Sequence, residues 1–368
     1  SMSADMNNTD NVHLLFDDCR LNKIELLPPD INQSEYKFVS LNSSQILFGL
    51  GAIKGTGLSA IEIILEERNE NGDFISLFDF TCRLNLTKVN RKAIESLIRA
   101  GAFDKIEKNR SSLLASVDLA IKVADQADRN SKQEGLFGES ESKEINLVLK
   151  DSWDERTKFS QEKVALGFYY SGHPFSHYRK MIREFIPNNL KALVPRASSC
   201  LIAGIIAAVK FKLTARGKIA IVTLDDGEGR IDMFVGSKIL NEYYELIKED
   251  KLIFVEGRVQ LDEFTGGNSM LAAKIFELIT IQSSKAQLLR ISLNNKSSAE
   301  DLKRLLKPYC NGSFSHDIKK CRVKVEYQNK EGKVELLLGP DWEVALHEDL
   351  ISGLVESFQD DNVKILYN

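Results

Sequence analysis

At Leu201 the spacing of apolar residues changes, and that change sets what the chain can fold into. From there Leu201, Ala203, Ile205, Ala207, Val209, Phe211 and Leu213 recur at every second position, with Lys210 and Lys212 between them. This is the period of a strand, whose successive side chains point to opposite faces. Strands are also expected over Lys218–Leu224 and Arg230–Val235, in a separate segment where Ile253, Val255, Gly257 and Val259 alternate with Phe254, Glu256 and Arg258, and from Met270 to Leu278. A turn at Asp225-Asp226-Gly227-Glu228-Gly229 separates the second from the third. Ile239, Leu240, Tyr243 and Ile247 mark a helix before the fourth.

Three strands, a helix and two strands is the order of an OB-fold, a small closed barrel whose open face commonly takes single-stranded nucleic acid. Between Leu201 and Leu224 stand four cations, Lys210, Lys212, Arg216 and Lys218, and no acidic residue. The whole chain carries a net charge of −4, so any nucleic-acid contact must come from such local reversals of sign. Phe234 and Arg258 add stacking or phosphate contacts if they face the same groove. The competing reading is a solvated barrel edge, where lysines prevent strand pairing.

Before the barrel the period is helical. Gly49-Leu50-Gly51-Ala52-Ile53-Lys54-Gly55-Thr56-Gly57 leads into Leu58–Leu65, with Ile61, Ile64 and Leu65 at helical spacing. Gly55 and Gly57 let backbone amides turn outward at a helix start, where the dipole favours a phosphate. No apolar strand feeds these glycines and no Gly-Lys-Ser/Thr follows, which argues against a nucleotide-binding loop. A tight turn between packed helices remains the alternative. A second candidate, Thr87-Lys88-Val89-Asn90-Arg91-Lys92, opens a helix through Ala93, Ile94, Leu97 and Ile98 that Gly101 stops. Two such helix-hairpin-helix units suit sequence-independent gripping of duplex DNA, through Lys54, Gly55, Gly57, Lys88, Asn90, Arg91 and Lys92.

An amphipathic helix follows from Ser111 to about Asp128, with Ser111 or Ser112 as its cap. The polar stretch from Asn130 to Lys143 then holds one apolar island, Gln133-Glu134-Gly135-Leu136-Phe137. It is either a short peptide ligand that concentrates its binding in a few anchors or a loop pinned to its own domain. A second Leu77-Phe78 lacks the glutamine and follows Ser76, a helix cap, so it reads as core. Trp153, Phe159, Val164, Leu166 and Phe168 indicate a helical piece ending near Gly172-His173-Pro174, with His173 a turn residue. Residues 286–368 read as a small α/β unit: strands near Leu288–Leu293, Cys321–Tyr327, Lys333–Leu338 and Val363–Tyr367, and helices over Ser298–Leu306 and Asp349–Phe358. Trp342 is either an interface anchor or core.

With 368 residues, 43% apolar and 28% charged, the chain has the balance of a folded protein of several domains. Its five cysteines lack metal-ligand spacing and read as free thiols of a reducing, cytoplasmic compartment. The apolar run Leu201–Val209 is too short to span a membrane. Ser1-Met2-Ser3 reads as an appended start rather than a signal peptide. The acidic pairs Asp17-Asp18, Asp225-Asp226 and Asp360-Asp361 are neighbours in turns or ends, and make no catalytic carboxylate site.

Four phrases resemble, in order, the bacterial DNA polymerase III alpha-subunit family, the replicative family C polymerases: Glu25-Leu26-Leu27-Pro28-Pro29-Asp30-Ile31-Asn32, Gly49–Gly57, Asn90-Arg91-Lys92-Ala93-Ile94-Glu95 through Ala100-Gly101-Ala102-Phe103-Asp104, and Ala165–Pro174. Thr214-Ala215-Arg216-Gly217-Lys218 through Asp226 is similar to that family's OB domain, although Ala215 stands where the family has a lysine. Val334 through Gly339-Pro340-Asp341-Trp342-Glu343-Val344 to Tyr367 resembles its tau-binding domain. The resemblance implies a multidomain α+β chain lacking the catalytic palm and inactive alone, its Mg²⁺ belonging to the parent polymerase and no cofactor to this stretch. It implies an end of the fingers region over 1–40, tandem helix-hairpin-helix units over 41–130, a linker and helical connector over 131–195, an OB-fold over 196–283 and a small α/β domain over 284–368. The implied partners are duplex and single-stranded DNA, the sliding clamp (beta subunit) through Gln133, Leu136 and Phe137, and the clamp-loader tau subunit. The alternative is a stand-alone scaffold binding single-stranded nucleic acid, or an RNA-binding OB protein.

Overall fold

The computed structural model describes residues 2–133, 145–215, 217–262, 266–293, 299–310, 319–328 and 332–367. They divide into two compact units, Ser1–His173 and Pro174–Asn368. The architecture is α+β, with eleven α-helices and thirteen strands among the described residues.

In the first unit α1 (Thr9–Leu21) precedes three short strands, β1 (Glu25–Leu27), β2 (Val39–Asn42) and β3 (Gln45–Leu47), in the order β1-β3-β2. Helices α2 (Leu58–Asn71), α3 (Leu77–Arg83), α4 (Arg91–Ala100), α5 (Arg110–Gln133) and α6 (Glu155–Leu166) follow. Contrary to the sequence reading, a strand does lead toward the glycine turn: β3 ends at Leu47, and a 3-10 turn, Leu50–Ala52, comes next. Three residues are too few to display a two-residue period. The core is aromatic, with Phe80 edge-on to Phe74 at 4.9 Å and to Phe103 at 5.1 Å. Leu77 is fully buried beside them behind a Ser76 cap, whose side chain accepts from Asp79 N at 3.0 Å. Met2 is buried in the same core.

The cap of α5 is Asn109, which accepts from Ser112 N at 3.1 Å. Ser111 and Ser112 already lie within the helix, and Ser112 and Ser116 instead accept the backbone amides of Lys150 (2.9 Å) and Val148 (2.8 Å). Helix α6 stops at Gly167, which takes φ 88°, five residues before the expected Gly172. A buried ionic cluster joins α4, α5 and α6. Glu162 is wholly buried, accepts from Arg110 Nη1 at 3.1 Å, and takes both the amide (2.9 Å) and hydroxyl (2.8 Å) of Ser171. Arg110 also donates to Asp104 at 2.7 and 2.5 Å.

The second unit begins with α7 (Ser176–Arg183). A closed barrel follows: β4 (Cys200–Thr214), β5 (Gly217–Asp225), β6 (Arg230–Val235), α8 (Ser237–Glu242), β7 (Leu252–Leu261) and β8 (Asn268–Phe276). The strand order β4-β5-β6-β8-β7 closes through β7 on β4, with the helix after the third strand as expected. The single apolar face expected for β4 is not observed. A bulge between Ile206 and Ala208 inverts it: Ile202 and Ile206 fill the barrel before the bulge and Val209 faces it afterwards. Leu201, Ala203 and Ile205 instead cover Phe175 and Ile182 of the α7 segment, so residues 174–195 belong with the barrel. Glu228 fastens them, accepting from Arg179, Arg183 and Asn189.

Leu278 starts α9 (Leu278–Lys285) rather than ending a strand. The last domain comprises β9 (Ala286–Leu293), α10 (Ala299–Cys310), β10 (Lys320–Gln328), β11 (Lys333–Leu337), β12 (Val344–Ala345), α11 (Glu348–Phe358) and β13 (Val363–Tyr367). Its sheet runs β11-β10-β9-β13, with β12 on β10. Trp342 is half-buried against this core.

Candidate nucleic-acid interface

One continuous row of side chains crosses the outside of the barrel. Lys210 opposes Ile221, Ile221 opposes Phe234, Phe234 opposes Leu271, and Leu271 opposes Arg258. Directly opposed residues point to the same face of a sheet, with side chains about 5 Å from one another. The buried residues on either side, such as Val222, Met233, Met270 and Val259, point inward. Three expected residues, Lys210, Phe234 and Arg258, therefore share one outer face, with a cation at each end and an apolar bridge between. Lys212 lies on the same face, two residues beyond Lys210. None of Lys210, Lys212 and Arg258 forms an ion pair with a described residue. Ile221 and Leu271 were missed by sequence reasoning. The strand period places them on the outside, but only the register sets them beside Phe234.

Lys218 lies elsewhere. It opposes Leu213 on the other face of the β4–β5 hairpin, where its ammonium stands 4.1 Å from the centre of the Phe211 ring and 5.5 Å from that of Tyr244. The expected four-cation patch is thus divided between two faces, and Arg216 lies outside the described residues.

In the first unit Gly55 and Gly57 take φ 85° and 71°, positive values that glycine adopts without strain. Gly57 gives α2 no side-chain cap, and the first amides of an α-helix have no partner within it. The second hairpin, between α3 and α4, packs beside the first: a methyl group on Gly55 would meet Lys92 Cε at 3.2 Å. Lys88 and Lys92 are exposed, and neither forms an ion pair with a described residue. The other candidates are already engaged. Asn90 caps α4, accepting from Ala93 N at 3.0 Å. Arg91 pairs with Glu95 and with Asp118, each at 2.7 Å, and its hydrogen bond holds the Glu95 carboxyl below the usual range. The Lys54 side chain extends over Gly167, at the carbonyl end of α6.

Gln133 is the last residue of α5, while Leu136 and Phe137 lie outside the described residues. Among the described residues no group of three or more His, Cys, Asp and Glu side chains could hold a metal ion. Asp225 and Asp226 in particular do not fit Mg²⁺. Asp225 holds Arg230 and the Gly227 amide, and Asp226 holds the amides of Leu190, Glu228 and Gly229. No described helix is long and apolar enough to cross a membrane.

Three family models match the chain. They are a helix-hairpin-helix motif over residues 23–113, an OB-fold nucleic acid binding domain over residues 200–278, and the C-terminal domain of DNA polymerase III subunit alpha over residues 301–357. The DNA polymerase III subunit alpha of Neisseria meningitidis serogroup A is 37% identical over 358 residues, covering 96% of this chain and 31% of the relative. That of Vibrio cholerae is 34% identical over 380 residues, covering 100% and 32%. That of Escherichia coli K12 is 34% identical over 367 residues, covering 96% and 31%. The chain spans about a third of the length of these relatives.

Proposed function

Because the chain belongs, along nearly its whole length, to the DNA polymerase III alpha-subunit family, we propose that it is the non-catalytic, DNA-handling portion of a replicative polymerase. The observation that carries this reading is the outer row Lys210–Ile221–Phe234–Leu271–Arg258 on an OB barrel. Spaced cations with an aromatic and two apolar residues between them suit a flexible single strand, whose phosphates take the ends and whose bases lie on the middle. In this reading Lys88, Lys92 and the amides opening α2 grip duplex DNA without regard to sequence. Gln133, Leu136 and Phe137 form a peptide for the sliding clamp, and the domain from Ala286 onward takes the clamp-loader tau subunit. Nucleotidyl transfer and its Mg²⁺ belong to the parts of the longer relatives that this chain does not span.

Titration of the chain with single-stranded and duplex DNA of equal length tests the core of the reading, and both should bind in a salt-dependent way. Titration with a bacterial sliding clamp, comparing the chain with a Leu136→Ala, Phe137→Ala variant, tests the peptide. Equal clamp binding by both chains refutes that assignment.

A further inference from the structure

The β4–β5 hairpin runs past the end of the barrel, and its reverse face carries one aromatic side chain, Phe211, beside which a second, Tyr244, is stacked from another element. Phe211 is 43% exposed, and Leu213, two residues on, is 88% exposed. Tyr244, in a 3-10 turn after α8, is 47% exposed. The Phe211 and Tyr244 rings lie 6.2 Å apart and 29° from parallel. Neither ring is counted in the barrel core, whereas Val209 on the same face is packed against it. The Lys218 ammonium occupies the aromatic surface, closer to Phe211 than to Tyr244.

We propose that Phe211 and Tyr244 form a base-stacking site for single-stranded DNA, covered at rest by the Lys218 ammonium. An ammonium resting on an exposed ring is held more weakly than a stacked base, so a base displaces it. The released ammonium stays within reach of the strand's phosphates. Lys210 and Lys212, on the opposite face of the same hairpin, hold the neighbouring backbone as the strand turns round the hairpin. The site rests on the single-strand reading of the barrel and extends it beyond the outer row. Its selectivity is for a π-face and not for sequence, because every base offers one.

The test is fluorescence-anisotropy titration of the full chain with two oligonucleotides of equal length and charge, one of thymidines and one with abasic residues. Phe211→Ala and Tyr244→Ala should each weaken thymidine binding by about 5- to 150-fold while leaving the dependence of log affinity on log salt unchanged. The abasic strand should bind the unaltered chain and both variants alike. Tyr244→Trp supplies a second readout, since its added emission should be quenched by the thymidine strand and not by the abasic one. Thermal melting separates a loss of stacking from a loss of folding. Thymidine binding unchanged in folded Phe211→Ala and Tyr244→Ala chains, with no quenching at position 244, overturns the stacking site while leaving the outer row standing. Absence of any single-strand binding by the unaltered chain overturns both.

Discussion

The outer row makes a quantitative prediction about salt. Lys210, Lys212 and Arg258 share one face of the barrel and form no ion pair with a described residue, so each is available to replace condensed counterions. On a single strand each phosphate contact adds about 0.7 to the fall of log affinity with log salt. Three contacts carry a slope of about 2.1, so a rise from about 50 to 200 mM salt weakens binding about 18-fold through these side chains alone. Replacing all three by glutamine should flatten the measured slope by about 2, and the single variants by about 0.7 each. Lys303 is exposed on α10, away from the barrel strands, and its glutamine variant should leave the slope unchanged. The assay is anisotropy of a labelled oligothymidine at four or more salt concentrations. A triple variant with the slope of the unaltered chain, or a Lys303→Gln variant that flattens it equally, refutes the placement of the strand on this row.

On duplex DNA Lys92→Ala should flatten the salt slope by about 0.9, while Arg91→Ala should do so by less than half as much. Arg91 is already paired with Glu95 and Asp118, and equal slopes for the two variants would show that those pairs break on binding. Glu162→Ala takes one of two carboxylates from a guanidinium that is 7% exposed, leaving it Asp104, and removes the acceptor of the Ser171 amide and hydroxyl, which should cost about 1–3 kcal/mol for each donor left without a partner in urea unfolding of the first unit. Glu162→Gln keeps the shape and should cost about 1–3 kcal/mol, so an alanine variant no weaker than the glutamine variant contradicts the clasp. Burial pushes the Cys321 thiol up to about 11 from 9.0. The unfolded thiol ionises first as pH rises, so this stabilisation is complete below about pH 9 and lost toward pH 11, on the order of 3 kcal/mol. Denaturant unfolding at pH 8 and 10.5 should register that loss, and Cys321→Ala should reduce it.

Features fixed by near neighbours in the chain were legible beforehand. Gly101 ends α4 in the left-handed conformation at φ 89°, and Gly55 and Gly57 take the positive φ that only glycine adopts readily. The strand and helix order of the barrel followed from period alone. Pairings between distant residues were not legible: Arg91 meets Asp118 on another helix, and Asn109 rather than a serine caps α5. The barrel shows why composition outruns geometry. Lys210, Lys212 and Lys218 read as one patch because their spacing in the chain is short, yet strand pairing sets Lys210 across from Ile221 and Lys218 across from Leu213, on opposite faces. The apolar alternation through Leu213 likewise reads as one face. In fact the extra residue at Ala207 exchanges inside for outside, and every side chain beyond it follows. Without that bulge Lys210 and Lys212 would point into the barrel and Val209 out of it. The charge available to nucleic acid is therefore set by one extra residue in the strand register as much as by the lysines themselves.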